Sequence, residues 1–334
     1  MFHARFRRTL TATTAFAIAT LALTGCGTDD ATEPPRIGTA YTLPGDRVYP
    51  EGIAADPRTG DTYVGSYTTG AIYRAAPGAT EAEVFLAEGA DGRRTANGLK
   101  VDRAGRLWVT DSTKGVAVYD TATRGLIARF DLPGTDPRFV NDLAITPDGT
   151  AYLTDSIRGV IYRVTQDQLR EASARGGTAD LTARFDLTAR LTPRGPGGYG
   201  LNGIVADPAG NYLLVVDMAP GELYRIALTT DATDPIRKVA LRGGDLTHGD
   251  GLELRDNTLW AAQNKINTIS RWSLTDDGAT ATRTGHRTDD ALKIPTTLIR
   301  VADRTLVVAS QFDRGGPMGP GTPTTFEILT VDGI

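Results

Sequence analysis

Side chains that carry oxygen recur at one position of a repeated sequence pattern. The pattern is a polar residue, an apolar run, a turn, a second apolar run and a final polar residue, and it is clearest in residues 138–156. Repeats of this kind are a strong signal of the fold. The six leading residues, which we call the ring residues, are Glu51, Asn97, Asn141, Asn202, Asp250 and Thr297.

The chemical type of the ring residues indicates which ion they would bind. Carboxylate and amide oxygens are hard ligands, and they favour Ca²⁺ over a transition metal. A zinc site needs His or Cys, of which the chain has three and one. A second interpretation stays open, because Asn-Gly and Asp-Gly pairs also form ordinary turns.

The same repeats predict the architecture that would bring these residues together. In residues 36–334 each repeat resolves into four short apolar segments bounded by Gly, Pro and Asp turns. Such units cannot bury both faces alone, so they stack around an axis. The sequence therefore predicts an all-β, six-bladed β-propeller over residues 36–334, with an elongated solenoid as the alternative.

The two ends of the predicted domain indicate how the ring closes. The sixth repeat stops after its third segment, at residues 325–331. The predicted outer strand of the second repeat lies just before the third repeat. Residues 39–45 lie in the same position before the first repeat, so they have the place of an outer strand. We therefore expect the N-terminal strand to complete the last blade, which would remove open sheet edges.

Two long loops are expected on the side of the ring where the ring residues lie. They span residues 191–200 and 311–324 and contain Tyr199, Phe312 and Met318. Apolar walls above a polar floor are the usual composition of a small-molecule site. The sequence thus indicates a small-molecule substrate or ligand.

The pattern resembles the Ca²⁺-binding pattern of the gluconolactonase, regucalcin (senescence marker protein) and luciferin-regenerating-enzyme family. The residues that match in type and blade order are Glu51, Asn141, Asn202 and Asp250. The resemblance covers the whole propeller and implies that these four residues hold one Ca²⁺. It also implies a Ca²⁺-dependent hydrolase of a lactone or related ester. The alternative is a non-catalytic propeller that binds a ligand or a protein around a structural Ca²⁺.

One departure from the family concerns an arginine. The family has an arginine two residues before its third-repeat Asn, whereas Arg138 lies three residues before Asn141 and Phe139 takes the usual place. The resemblance therefore does not specify a sugar-acid substrate. Further candidates for contact with the substrate or with the metal ligands are Asn97, Arg138, Tyr199, Thr297 and Phe312.

Hydrolysis also needs a group that accepts a proton from water. Asp250 is the first candidate, although a carboxylate that ligates a metal is a weaker base. Asp142 follows Asn141, and His248 lies two residues before Asp250, so either is a substitute if it faces the same mouth. The alternative role for His248 is that of a turn residue.

Residues 1–25 have the character of a bacterial export signal. Arginines precede an Ala- and Thr-rich run that is shorter than the roughly 20 residues of a membrane span, and residues 23–26 resemble a lipobox ending at Cys26. We expect lipid attachment at Cys26, a tether over residues 26–35 and a protein anchored to the outer face of the cell membrane. The alternative is a cleaved signal in which Cys26 is incidental.

The charge of the chain argues against one class of partner. Three of the 36 basic residues lie in the export signal, so 33 remain against 40 acidic residues. A net negative charge does not suit a nucleic-acid backbone. We expect a monomer that binds a small molecule and contacts the membrane only through its lipid.

The anchor can be tested with one substitution. Cys26→Ser removes the only thiol that could carry a lipid, so the variant should move from the membrane fraction to the soluble fraction after export. The measurement is fractionation followed by immunoblotting. A variant that stays in the membrane fraction would show that another feature anchors the protein.

Overall fold

The computed structural model describes residues 36–195, 198–229 and 234–334. Within them the chain forms six small sheets whose strands follow one another in sequence, arranged as the blades of a β-propeller. The predicted fold class is confirmed. No helix in this part of the chain is long and apolar enough to cross a membrane. The export signal, Cys26 and the tether lie outside the described residues.

The first strand in the chain is β1 (Ile37–Leu43). Blade one contains β2 (Pro50–Ala55), β3 (Thr62–Ser66), β4 (Ile72–Ala75) and β5 (Glu83–Leu86). Blade two contains β6 (Leu99–Val101), β7 (Arg106–Asp111), β8 (Gly115–Asp120) and β9 (Leu126–Asp131). Blade three contains β10 (Val140–Ile145), β11 (Ala151–Asp155), β12 (Val160–Val164) and, after helix α1 (Gln166–Ala174) and β13 (Thr178–Asp180), the outer strand β14 (Thr182–Asp186).

Blade four contains β15 (Leu201–Ala206), β16 (Tyr212–Asp217), β17 (Glu222–Ala227) and β18 (Ile236–Lys238). After β19 (Ala240–Arg242), blade five contains β20 (Gly249–Arg255), β21 (Thr258–Gln263), β22 (Thr268–Thr275) and β23 (Thr280–Thr288). Blade six contains β24 (Pro295–Val301), β25 (Arg304–Ala309) and β26 (Phe326–Val331). Short 3₁₀ turns lie at Ala90–Gly92, Asn264–Ile266 and Asp290–Leu292.

The ring closes through the N-terminal strand, as the sequence predicts. Strand β1 pairs antiparallel with β26, from Ile37 opposite Val331 to Leu43 opposite Phe326. The inner strand of blade six, β24, also lies against the inner strand of blade one, β2. Blade six is therefore built from both ends of the domain, and β1 covers the edge that β26 would otherwise expose.

Two additional strands connect neighbouring blades. Strand β13 pairs in parallel with β9 of blade two, and β19 pairs in parallel with β23 of blade five. Helix α1 begins with a capping box in which Thr165 accepts from the backbone N–H of Gln168 and Gln168 accepts from that of Thr165. The insertion in the third repeat therefore extends blade two.

The hydrophobic core is divided among the interfaces between blades. Within the described residues it forms six clusters, each made by two neighbouring blades. Successive side chains of an inner strand point to opposite faces of the blade, so each strand contributes to two interfaces. In β10, Leu143 packs towards blade two and Ala144 packs towards blade four. The blades are thereby held at fixed angles around the axis, and the starts of the inner strands converge.

Glycine after the ring residue allows the inner strands to approach closely. Gly52, Gly98, Gly203 and Gly251 occupy this position in four repeats, and none has a left-handed φ. A Cβ on Gly98 would lie 2.6 Å from the Cα of Asp142, and one on Gly203 would lie 2.8 Å from the backbone nitrogen of Leu252. The turn interpretation of the Asn-Gly and Asp-Gly pairs is therefore wrong, since these glycines are needed for contact between neighbouring strands.

Adding one methyl group should disturb this contact. We expect Gly203→Ala to lower the free energy of unfolding by about 1–3 kcal/mol, the usual effect of overpacking. Denaturant unfolding in excess chelator measures it without a contribution from metal. Gly195→Ala is the matched control, because no atom lies within 4 Å of its added Cβ. Equal stability of the two variants would contradict the role assigned to Gly203.

Candidate metal centre at the mouth of the channel

The ring residues lie at irregularities where the inner strands begin. In five blades the pairing with the second strand skips two residues, for example between Val140 and Leu143 or between Gly249 and Leu252. The two skipped residues are the ring residue and the one after it. A bulge of this kind redirects side chains, and here it directs them to the narrow mouth at the axis.

The register corrects the assignment in the sixth repeat. The skipped pair in β24 lies between Pro295 and Leu298, so Thr296 is the equivalent of Glu51, and Thr297 takes the position after it. The buried hydroxyl of Thr296 donates to the backbone carbonyl of Glu51 at 2.7 Å. The ring position of the sixth repeat was predicted one residue too late. Two consecutive threonines do not show from sequence which of them occupies the position of Glu51.

Three carboxylates meet at this mouth together with amide and hydroxyl side chains. Its polar lining consists of Glu51, Asp142, Asp250, Asn141, Asn202, Thr296, the predicted Thr297 and the cationic Lys100. The free space between them has room for about one water-sized sphere. The mouth therefore has the size of a single-ion site.

Burial and mutual repulsion disfavour ionisation of these acids. Burial, followed by the charges of Asp250 and Asp142, raises the pKa of Glu51 well above its ordinary value. Burial raises the pKa of Asp250 to about 7, although a hydrogen bond from Asn264 opposes the shift. Burial also raises the pKa of Asp142, against the opposing charge of Lys100. A cation between these groups would remove the cost of ionising them together.

The amide of Asn141 has a defined orientation. The hydroxyl of Ser156 donates to the carbonyl of Leu201 at 2.5 Å, so it can only accept from Nδ2 of Asn141, which lies 3.0 Å away. This leaves Oδ1 of Asn141 buried and without a hydrogen-bond partner among the described residues. An unpaired buried carbonyl oxygen suits a cation ligand.

Asp250 is held by a residue that the sequence analysis missed. Oδ1 of Asn264 accepts from the backbone N–H of Lys265 at 2.6 Å, so its Nδ2 donates to Oδ2 of Asp250 at 2.7 Å. Asn264 thus fixes Oδ2, and the side chain of Asn202 also hydrogen-bonds to the Asp250 carboxylate. Asn264 follows the second strand of its blade, as Ser156 does in blade three. That shared position after the second strand was the signal that could have identified both.

The donor set fits a hard divalent cation. Within the described residues, no group of three or more His, Cys, Asp or Glu side chains is arranged to hold a metal ion, so a site here depends on amide oxygens as well as carboxylates. Asn202 adds an amide whose Nδ2 lies 3.5 Å from Sδ of Met218. Asn97 is fully buried and lies outside the lining, and neither polar atom of its side chain has a hydrogen-bond partner among the described residues.

The two substitute bases differ in position. Asp142 lines the mouth, but Oδ1 accepts from the backbone N–H of Leu143 at 2.8 Å and Oδ2 from that of Ile204 at 3.3 Å. His248 has a left-handed φ of 61° and precedes strand β20, which confirms its interpretation as a turn residue. Burial, followed by the charge of Lys265, lowers the pKa of His248. His248 is not part of the lining of the mouth.

Aromatic rings form a rim beside this mouth. The rings of Phe139 and Tyr199 are 4.9 Å apart, and those of Tyr67 and Phe312 are 5.2 Å apart. Tyr199 and Phe312 were expected here, whereas Tyr67 and Phe139 were not. Their positions directly after a second strand and directly before an inner strand could have indicated them.

Arg138 faces its own loop. Its guanidinium donates to the carbonyls of Leu132, Gly134 and Asp136, at 2.6 Å in the case of Leu132. It does not belong to the lining of the mouth. The structure therefore gives Arg138 a role in holding the loop between β9 and β10.

Comparisons with known proteins establish the fold. No protein-family model matches the sequence, and no curated protein matches it. Three solved structures share the fold: the major allergen Mala s 1 of Malassezia sympodialis, a gluconolactonase of Xanthomonas campestris, and a calcium-binding protein, regucalcin, of Agrobacterium tumefaciens. Their sequence identities are 16%, 17% and 18%, and their TM-scores are 0.59, 0.59 and 0.58.

The similarity extends over nearly the whole length of these proteins. The alignments cover 86%, 89% and 88% of this chain and 94%, 90% and 97% of the respective structures. The resemblance to gluconolactonase and regucalcin is thus confirmed at the level of the fold. At these identities it does not carry over a substrate or a metal.

A cation held at the mouth should stabilise the protein, because a ligand that binds only the folded state raises its stability. Calcium at 100 times its dissociation constant should add about 2.7 kcal/mol and raise the melting temperature by roughly 5 °C. Asp250→Asn should abolish this response. In chelator, however, the variant should melt at the same or a higher temperature than the unmodified protein, because one of three repelling carboxylates is gone.

The matched control is Asp303→Asn, which neutralises an exposed acid away from the mouth. It should keep the full response to Ca²⁺ in differential scanning calorimetry. If Asp250→Asn responds as fully as this control, Asp250 does not belong to a cation site.

Proposed function

We propose that this protein is a divalent-cation-dependent hydrolase of lactones or related esters, with Ca²⁺ as the ion. The observation that carries the proposal is the convergence of Glu51, Asp250 and the unpaired Oδ1 of Asn141 on a mouth of single-ion size, beside a rim of aromatic rings. A small-molecule site commonly combines such a polar floor with apolar walls.

The residues of the floor have separate tasks in this proposal. Those that would hold the ion are Glu51, Asn141, Asn202 and Asp250. A bound Ca²⁺ would supply polarisation of the substrate carbonyl and stabilisation of the negative charge on its oxygen. Ser156 and Asn264 keep the amide of Asn141 and the carboxylate of Asp250 in fixed orientations.

Proton transfer is assigned to Asp250. Its Oδ2 is held by Asn264, so Oδ1 is the atom that would accept a proton from water as it adds to the carbonyl carbon. The same carboxyl group would return that proton to the alkoxide oxygen as the ester C–O bond breaks. Asp142 is already hydrogen-bonded to two backbone N–H groups, and His248 lies outside the lining. Asp250 is therefore the best placed of the three candidates.

The second candidate function is a non-catalytic propeller that binds a ligand around a structural ion. The observation in its favour is that each carboxyl oxygen of Asp142 and one of Asp250 already accept hydrogen bonds, which leaves few groups to act as a base. For either function we propose that the protein works outside the cytoplasm, anchored through Cys26. Support for the anchor comes from residues 23–26 of the sequence.

A substrate panel tests the proposed activity. Lactones, aryl esters and phosphotriesters are incubated with the purified protein, and acid release is recorded. Turnover of a lactone or ester should require Ca²⁺ and should stop when chelator is added. Asn264→Ala should lower kcat by about tenfold to a hundredfold and preserve most Ca²⁺ binding, because it frees the carboxylate of Asp250 without removing it.

The control for this test is Asn257→Ala, which alters an exposed amide in a turn of the same blade. It should leave turnover unchanged. If the Ca²⁺-loaded protein turns over nothing in the panel, the binding propeller becomes the better description.

A further inference from the structure

The aromatic rim forms a continuous arch next to the polar floor. Its members are Tyr67, Phe139, Tyr199 and Phe312. The ring of Tyr67 lies 6.5 Å from that of Phe139 and 5.2 Å from that of Phe312. The ring of Phe139 lies 4.9 Å from that of Tyr199, edge to face. The arch therefore joins side chains from blades one, three, four and six into one surface.

The backbone around the arch holds these rings in place. Phe139 donates its N–H to Oδ1 of Asp155, and its carbonyl accepts from the N–H of Ser156. Next to Tyr199, Gly200 donates to the carbonyl of Ser156 and accepts from Met218. The backbone that carries Phe139 and Tyr199 is thus hydrogen-bonded between blades three and four, which lowers the entropy cost of ordering this part of the arch when a ligand binds.

The arch lies directly beside the reacting end of the site. Tyr67 follows Ser66, which pairs with Pro50, the residue before Glu51. Burial, followed by the charges of Tyr199 and Glu51, raises the pKa of Tyr67 to about 12. A ligand whose carbonyl reaches the floor would therefore place the rest of its body against the arch.

The side chains of the arch offer a polyhydroxylated ligand only the hydroxyls of Tyr67 and Tyr199 as hydrogen-bonding groups. Tyr199 is 45% exposed, and Tyr67 and Phe139 are partly exposed, whereas Phe312 is buried in the core behind Tyr67. The part of the arch that can meet a ligand therefore consists of three rings. The arginine expected near the mouth, Arg138, donates to three carbonyls of its own loop. A sugar ring with several hydroxyls would lose hydrogen bonds to water here and gain few in return.

From these observations we infer that the substrate is a hydrophobic lactone or ester, whose aryl or alkyl group packs on the Tyr67, Phe139 and Tyr199 rings of the arch, with Phe312 buried behind them. Aromatic packing of this kind contributes both buried apolar area and favourable ring geometry. The inference rests on the proposed function, because the floor is taken as the end where the carbonyl reacts.

The experiment compares three δ-lactones of the same ring size: phenyl-substituted δ-valerolactone, δ-valerolactone itself and glucono-δ-lactone. Hydrolysis is measured with saturating Ca²⁺. In parallel, calorimetry measures binding of the phenyl-substituted lactam, which is not hydrolysed under these conditions. The phenyl lactone should have a kcat/KM at least tenfold above that of glucono-δ-lactone, and the lactam should bind.

Variants of Tyr199 test whether the preference for the phenyl-substituted ligand depends on the arch. Tyr199→Ala should weaken lactam binding by about threefold to tenfold, since an aromatic contact is worth roughly that much. Tyr199→Phe should retain the binding, because it keeps the ring. Leu126→Ala is the matched control: it removes an exposed apolar side chain from the outer strand of blade two and should change nothing.

The outcomes separate the inference from the proposed function. A preference for glucono-δ-lactone, with no effect of Tyr199→Ala, would overturn the inference and leave the hydrolase intact. Lactam binding that weakens in Tyr199→Ala, with no lactone hydrolysed, would support the arch as a hydrophobic site and count against the hydrolase. Failure of the lactam to bind would overturn the inference directly.

Discussion

The structure depends on the burial of acidic and amide side chains at the point where six strands converge. Glu51, Asp142 and Asp250 share one narrow mouth, and burial raises the pKa of each. Groups that repel one another and lack solvent are costly for the folded state. The charge of Lys100, which lines the same mouth, offsets part of this cost at Asp142. A bound cation would offset the cost at Glu51 and Asp250 and would give their altered chemistry a use.

Close packing around the axis creates this constraint. Hydrophobic clusters between adjacent blades bring the inner strands together, and glycine at the position after the ring residue permits the contact. In the third repeat Asp142 replaces that glycine, so a third carboxylate enters the mouth. The stabilising packing and the electrostatic cost therefore have the same geometric origin.

The sequence predicted the features that repeat locally. Six copies of one pattern gave the number of blades, and the missing outer strand of the last repeat gave the closure by β1. Contacts between repeats were harder to predict from the sequence, because a local pattern does not show which distant residue a side chain contacts. For this reason Thr297 was assigned in place of Thr296, the turn interpretation of the Asn-Gly and Asp-Gly pairs stayed open, and Asn264 and Tyr67 were missed. Arg138 was placed near the mouth by its position in sequence, but its guanidinium binds its own loop.

The central claim is that one cation lies between Glu51 and Asp250. Crystals of the protein grown with Tb³⁺, an oxygen-seeking ion with strong anomalous scattering, test it most directly. The account predicts a single strong anomalous peak at the mouth, within bonding distance of oxygens from Glu51, Asn141, Asn202 and Asp250. A mouth without a peak, or a peak coordinated only by surface acids elsewhere, would contradict it.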